Sequence, residues 1–140
     1  MLIAVCEDQK NDRQSLLECL YAELDRLRIC AEILSYESSE ALLAAAQKLS
    51  FQIYFLDILM VKTNGVEAAR TLRARGMEAA IVFVTSSRDY FAEGFEVGAV
   101  HYLVKPYKKT DVRVALERCI KQVGKTERYI EIMVNREKRR

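Results

Sequence analysis

Five polar side chains lie directly after apolar runs of strand length: Glu7, Asp8, Asp57, Thr85 and Lys105. A carboxylate at the end of a buried run is costly unless a cation, a metal ion or a proton offsets its charge. Because three of the five residues are acids, we expect them to need such a partner. The pattern therefore indicates a polar site built from several strand ends.

The residue types at these positions favour phosphoryl chemistry. Clustered carboxylates repel one another, and their hard oxygen ligands select Mg²⁺ or Mn²⁺. With few protein ligands such a metal keeps bound waters and can accept a phosphoryl oxygen. Asp57 can then act as a nucleophile toward phosphorus and form an acyl phosphate. The Lys105 ammonium and the Thr85 hydroxyl would stabilise the charge on the phosphoryl oxygens.

The elements that must position these residues alternate between strand and helix. Strands are predicted over residues 2–6, 30–36, 52–57, 79–86 and 101–105. Helices are predicted over residues 9–28, after Ser38 and Ser39, from Asn64–Gly65 to about Arg75, and over 88–97 and 109–123. Such alternation implies right-handed crossovers and a parallel sheet covered on both faces, a doubly wound α/β fold. Ligands of such folds bind at the carboxyl ends of the strands, where the five polar residues would meet.

Length and composition indicate one domain with a short appendage. Of the 140 residues, residues 1–124 contain 16 basic and 17 acidic side chains, which argues against nucleic-acid binding by this part. The four cysteines lack metal-ligand spacing and are interpreted as small buried apolar residues in a reducing compartment. The N-terminal apolar run is too short for a signal peptide, and no segment has the length of a membrane span. We expect a soluble, cytoplasmic protein without a membrane partner.

Four motifs resemble the receiver domain of two-component response regulators over about residues 1–124: "CED", "FLDILM" followed by Asn64–Gly65, "FVTS" and "HYLVKPY". The resemblance implies a flavodoxin-like sheet of five parallel strands in the order 2-1-3-4-5, with helices on both faces. It implies a signalling switch that catalyses its own phosphoryl transfer and hydrolysis, and not a metabolic enzyme. The implied partners are a sensor histidine kinase, an output domain and a second copy, which would pack through the fourth helix, fifth strand and fifth helix.

The resemblance also implies a role for each matching residue. Asp57 would be the phospho-acceptor and Lys105 the phosphate-binding base, with Thr85 as the switch hydroxyl and Tyr102 as the switch aromatic. The metal ligands would be Asp8 as the principal ligand, Glu7 behind it, Asp57 and the backbone carbonyl of Leu59. The peptide bond between Lys105 and Pro106 is expected to be cis, since only X-Pro bonds adopt this form at modest cost.

Residues 125–140 depart from the receiver pattern. Ile130, Ile132 and Val134 alternate with other residues, which predicts a strand that resembles the opening strand of a LytTR-type DNA-binding domain. On this interpretation the segment is a linker or the start of a truncated output domain, and DNA is contacted only through that domain. A solvated basic tail or an extension of the last helix is the alternative.

Three other functions compete with a phosphorylated switch. A haloacid-dehalogenase-like phosphatase requires a second aspartate two residues after the nucleophile, where this chain has Leu59. A nucleotide- or flavin-binding domain requires a glycine-rich phosphate loop, whereas the first strand here turns through "EDQKND". A degenerate receiver would act as a phosphorylation-independent interaction module, although retention of Asp8, Asp57, Thr85 and Lys105 counts against it.

Overall fold

The computed structural model describes the backbone of residues 1–138 and the side chains of residues 1–127 and 135. The strands are β1 (Leu2–Cys6), β2 (Glu32–Tyr36), β3 (Ile53–Leu56), β4 (Ala80–Thr85) and β5 (His101–Val104). The helices are α1 (Lys10–Arg26), α2 (Ser39–Ala46), α3 (Gly65–Ala74), α4 (Phe91–Glu96) and α5 (Lys109–Lys138). All strand pairs are parallel and follow the order β2-β1-β3-β4-β5. This order confirms the predicted flavodoxin-like sheet.

The sheet separates two apolar clusters, one on each face. Ile3 and Val5 of β1 belong to the cluster that also contains the buried residues of α1 and α5. Ala4 and Cys6 belong to the opposite cluster, together with the buried residues of α2 and α3. Successive residues of a strand point to opposite faces, so a continuous apolar run is what a sheet covered on both sides requires. Every residue of β3 and β4 is buried, which fixes the two strands that precede Asp57 and the β4–α4 loop.

Two helices begin at capping residues. The Ser38 hydroxyl accepts a hydrogen bond from the Ala41 N–H (3.1 Å), as expected for a residue that starts α2. The Asn64 side-chain oxygen accepts one from the Val66 N–H (2.8 Å) at the start of α3. These caps set the points at which the loops after β2 and β3 end. Both loops lie at the carboxyl edge of the sheet.

Arg73 joins α3 to the ends of two neighbouring elements. Its guanidinium donates to the carbonyl of Val97, just after α4, and to the carbonyls of Met77 and Ala79, just before β4, each at 2.8 Å. Charge-assisted hydrogen bonds to three carbonyls hold the C-terminal end of α4 against the body of the domain. Movement of α4 is therefore expected to be largest at its N-terminal end.

The strand predicted from Ile130, Ile132 and Val134 is wrong. The backbone there is helical, and α5 continues to Lys138, across the boundary predicted between residues 124 and 125. A strand needs a neighbour for its backbone N–H and C=O groups, whereas a growing helix satisfies them within the segment. The outcome agrees with the helix extension that was the alternative. No helix within residues 1–138 is long and apolar enough to cross a membrane.

Gly65 provides a test of the packing behind the end of β3. A β-carbon at this position would lie 2.2 Å from the Asp57 carbonyl oxygen, whereas one at Gly124 in α5 would meet nothing within 4 Å. We expect Gly65→Ala to lower the free energy of unfolding by about 1–3 kcal/mol, as overpacking does. The control, Gly124→Ala, should leave it unchanged or raise it by up to about 1 kcal/mol. Equal urea midpoints for the two variants would contradict this packing.

Candidate functional site

The carboxyl ends of β1 and β3 place two acids side by side. Cys6 and Leu56 are partners in the parallel ladder, and the Asp57 N–H donates to the Cys6 carbonyl at 3.0 Å. Glu7 and Asp57 therefore follow adjacent strand ends. Both are buried, with 3% and 4% of their surface exposed. The adjacency predicted from chain order is present.

Asp8 completes a group of three acids with Glu7 and Asp57. Each residue has a ligand oxygen within 4.8 Å of the others. Asp8 is half-buried, and its carboxylate accepts a hydrogen bond from the Val61 N–H at 3.0 Å. Carboxylate oxygens at this separation suit a hard divalent cation such as Mg²⁺. The donor set thus fits the metal that the sequence predicts.

Lys105 brings a positive charge into this group. Its ammonium lies 2.5 Å from a Glu7 oxygen, 3.0 Å from an Asp57 oxygen and 2.9 Å from an Asp12 oxygen. Burial alone would lower the pKa of Lys105, but the hydrogen bonds to the three carboxylates outweigh it and raise the pKa. Lys105 therefore remains charged. The Lys105–Pro106 peptide bond is cis, as expected.

Asp12 is a site residue that the strand-end argument missed. It lies in the first turn of α1, four residues after Asp8, and reaches the cluster through Lys105. Asp8 precedes Gln9, the residue that caps α1, so helical spacing does not relate Asp8 to Asp12, and no pattern in the sequence marked Asp12 as part of the site. Arg13 also contacts this region, since its guanidinium donates to the Glu7 carbonyl at 2.9 Å.

Burial changes the pKa of Glu7. Removal from water raises the pKa of Glu7 to about 7, and the neighbouring Asp57 charge adds to this effect, although the Lys105 hydrogen bond opposes it. A cation near the three acids would favour the ionised form of Glu7. A bound cation would therefore stabilise the ionised form of this cluster.

The loop after β3 folds back over Asp57. One Asp57 oxygen accepts the Leu59 N–H at 3.1 Å, while the other faces Lys105. Leu59 pairs with Asn64 in an isolated antiparallel bridge, and the Gly65 N–H donates to the Ile58 carbonyl at 3.0 Å. The backbone position of Leu59 is thus fixed beside the acid that it was expected to assist.

Thr85 and Tyr102 meet at Ser87 in the β4–α4 loop. Thr85 is fully buried, and its hydroxyl accepts the Ser87 N–H at 3.4 Å. The Tyr102 hydroxyl donates to the Ser87 carbonyl at 2.7 Å. The Tyr102 ring packs edge-on against the Phe91 ring, with 4.4 Å between the ring centroids. No hydrogen bond joins Thr85 to Asp57 within residues 1–138. The two predicted switch residues are therefore linked to each other through one loop residue that sequence reasoning did not identify.

Comparisons with known proteins agree with this fold. A family model described as a response regulator receiver domain matches residues 3–117. The sensory transduction protein LytT of Oceanobacillus iheyensis is 31% identical over 124 residues, which is 87% of the chain and 49% of the relative. The positive alginate biosynthesis regulatory protein of Pseudomonas aeruginosa is 31% identical over 118 residues, 84% and 46% of the two lengths. The chain thus spans about half the length of these relatives.

A solved structure shows the same fold. The response regulatory domain of protein mrkE from Klebsiella pneumoniae superposes with a TM-score of 0.80 at 24% identity. The match covers 89% of this chain and 99% of that one.

Replacing Lys105 tests the electrostatic balance of the cluster. Lys105→Met leaves Glu7 and Asp57 buried without a cation, and we expect it to lower the unfolding free energy by about 2 kcal/mol or more in metal-free buffer. Asp57→Asn leaves the ammonium with Glu7 and Asp12 and should be at least as stable as wild type, because it relieves repulsion. Saturating Mg²⁺ should restore most of the loss in Lys105→Met.

Urea midpoints with and without Mg²⁺ measure these effects. Lys121→Met, at an exposed position of α5, is the matched control and should change neither midpoint. If Asp57→Asn were as destabilised as Lys105→Met in metal-free buffer, Asp57 would be a structural partner of the lysine and the balance described above would be incorrect.

Proposed function

The chain belongs to the response regulator receiver domain family, and on that premise we propose that Asp57 accepts a phosphoryl group from a sensor histidine kinase. The reaction would depend on Mg²⁺ or Mn²⁺. One observation carries the proposal: the buried Asp57 carboxylate lies 3.0 Å from the Lys105 ammonium and shares a group of close oxygens with Glu7 and Asp8. A nucleophile, a cation for the phosphoryl oxygens and a set of metal ligands thus occur in one place.

The proposed chemistry is an in-line transfer to a carboxylate. An Asp57 oxygen attacks phosphorus, an acyl phosphate P–O bond forms, and the P–N bond to the histidine of the donor breaks. Lys105 and Thr85 would donate hydrogen bonds to the phosphoryl oxygens. Asp8, Glu7, Asp57 and the Leu59 carbonyl would hold the metal ion, which when bound offsets the charge of the acids and lowers their repulsion toward the donor.

Switching would use the contacts at Ser87. If the Thr85 hydroxyl turns toward a phosphoryl group, the Ser87 N–H loses its acceptor, and the loop that also holds the Tyr102 hydroxyl must adjust. Phosphorylation would then favour one of two existing arrangements of α4, β5 and α5. Phe91 and Phe95 are exposed on α4, by 49% and 87%, and offer apolar surface to an output domain or a second copy.

We further propose that this switch controls an output domain that acts on transcription. The relatives named above include a transduction protein and a regulatory protein about twice the length of the matched part. Residues 125–138, helical here, would connect the receiver to that domain, through which alone DNA would be contacted. Cys6 and Cys119 are buried as expected, whereas Cys30 is exposed, so the expectation of burial is wrong for that cysteine; all four are free, which agrees with the reducing, cytoplasmic location that we propose.

Phosphoryl incorporation tests the proposed acceptor. Incubation of the full chain with a small acyl phosphate and Mg²⁺ should add the mass of one phosphoryl group, and removal of the metal should prevent it. Asp57→Asn should abolish incorporation because an amide oxygen is a far poorer nucleophile than a carboxylate. Asp25→Asn, the same change on the exposed side of α1, should not. Undiminished incorporation in Asp57→Asn would place the acceptor elsewhere, and none in wild type would favour a phosphorylation-independent interaction module.

Thr85→Ala separates acceptance from transmission. The variant keeps Asp57, Lys105 and the acids, so it should still take a phosphoryl group, more slowly. Without the hydroxyl it should not carry the change to Tyr102 and α4, and NMR shifts of that face on phosphorylation should be largely lost. Thr71→Ala, at a half-buried position of α3 where the hydroxyl donates to the Glu67 carbonyl, should show the full shifts. Equal shifts in Thr85→Ala and wild type would exclude Thr85 as the switch hydroxyl.

A further inference from the structure

The Lys105 ammonium has no N–H left for a new ligand. A protonated lysine has three donors, and here three carboxylates surround it: Glu7, Asp12 and Asp57. A phosphoryl oxygen can therefore bind Lys105 only if one of these carboxylates is released or shared. The carboxylate that releases Lys105 most easily determines how readily the site accepts a phosphoryl group.

Asp12 differs from the other two acids in its surroundings. Its side chain is 48% exposed, whereas those of Glu7 and Asp57 are 4% and 5% exposed. It is also absent from the group of close oxygens formed by Glu7, Asp8 and Asp57. Asp12 thus contacts the lysine from the solvent side. Water can replace the lysine at Asp12 far more easily than at a buried carboxylate.

We propose that Asp12 is a positioning residue that competes with the phosphoryl group for Lys105. In the unphosphorylated chain it holds the ammonium toward solvent, and it gives up this contact when phosphoryl oxygens form beside Asp57. The inference rests on the proposed function of Asp57 and adds a restraint to it. Asp12 acts through the lysine and neither binds metal nor touches phosphorus.

Beryllofluoride, a phosphoryl mimic, provides the test on the full 140-residue chain at saturating Mg²⁺. Asp12→Asn weakens the hold on Lys105, so the mimic should bind about two- to fivefold more tightly than to wild type, the range expected for a partly exposed ion pair. Asp25→Asn makes the same charge change on α1 away from the site and should leave the affinity unchanged.

A second background distinguishes competition for the lysine from simple repulsion between Asp12 and the bound anion. In Lys105→Met the added Asp12→Asn change should have no effect on affinity, because the lysine that transmits it is gone. A gain that persists in Lys105→Met would show through-space repulsion and overturn the proposal.

If Lys105→Met binds beryllofluoride too weakly to titrate, unfolding midpoints in metal-free buffer test whether Asp12 acts through Lys105. The four proteins compared are wild type, Asp12→Asn, Lys105→Met and the double variant. Coupling between the two substitutions is expected, and additive midpoints would overturn the proposal. A wild-type chain that fails to bind Mg²⁺ and beryllofluoride would refute the proposed function itself. Binding by wild type that Asp12→Asn leaves equal or weakens would refute only the role of Asp12.

Discussion

The contact of one lysine with three carboxylates is the interaction on which the rest of the site depends. Glu7 and Asp57 follow buried strands and cannot both carry charge in that environment without a cation. Lys105 supplies one positive charge, whereas Glu7, Asp12 and Asp57 can supply three negative charges. The lysine therefore offsets part of the repulsion, and the cluster keeps a net negative charge when the acids are ionised. This imbalance of charge suits a divalent cation, and it is the reason for proposing that the buried Asp57 carboxylate reacts only when such a cation is bound.

The sheet makes this arrangement precise enough to act as a switch. Strands β3 and β4 are buried along their whole length, so their ends are fixed by packing on both faces. Beyond β4, Ser87 links the two predicted switch residues, since its N–H donates to the Thr85 hydroxyl and its carbonyl accepts from the Tyr102 hydroxyl. At its other end α4 is held by the Arg73 guanidinium. On the proposed function, a rigid strand end joined through Ser87 to the β4–α4 loop would convert a local change of charge at Asp57 into a change at the surface of α4.

The order of elements along the chain predicted the fold and the placement of most site residues. A polar residue directly after a strand of a parallel sheet lies at the carboxyl edge of that sheet, where the other strand ends also lie. It could not predict contacts that depend on how helices and loops pack. Asp12 meets Lys105 because the first turn of α1 follows the carboxyl end of β1, and Ser87 carries no pattern that marks it as the residue between Thr85 and Tyr102. The alternation of apolar residues at Ile130, Ile132 and Val134 predicted a strand that the structure does not contain. The pattern concerns side chains only, whereas extending α5 satisfies the backbone hydrogen bonds within the segment itself.

A crystal structure of the chain with Mg²⁺ and beryllofluoride would test most directly whether Asp57 is the phosphoryl acceptor. We expect beryllium bonded to an Asp57 oxygen, one metal ion held by Asp8 and the acids beside it, and the Lys105 ammonium within hydrogen-bond distance of a fluorine. Beryllofluoride bound away from Asp57, or a Lys105 ammonium that contacts no fluorine while metal and mimic are in excess, would contradict this role of Asp57.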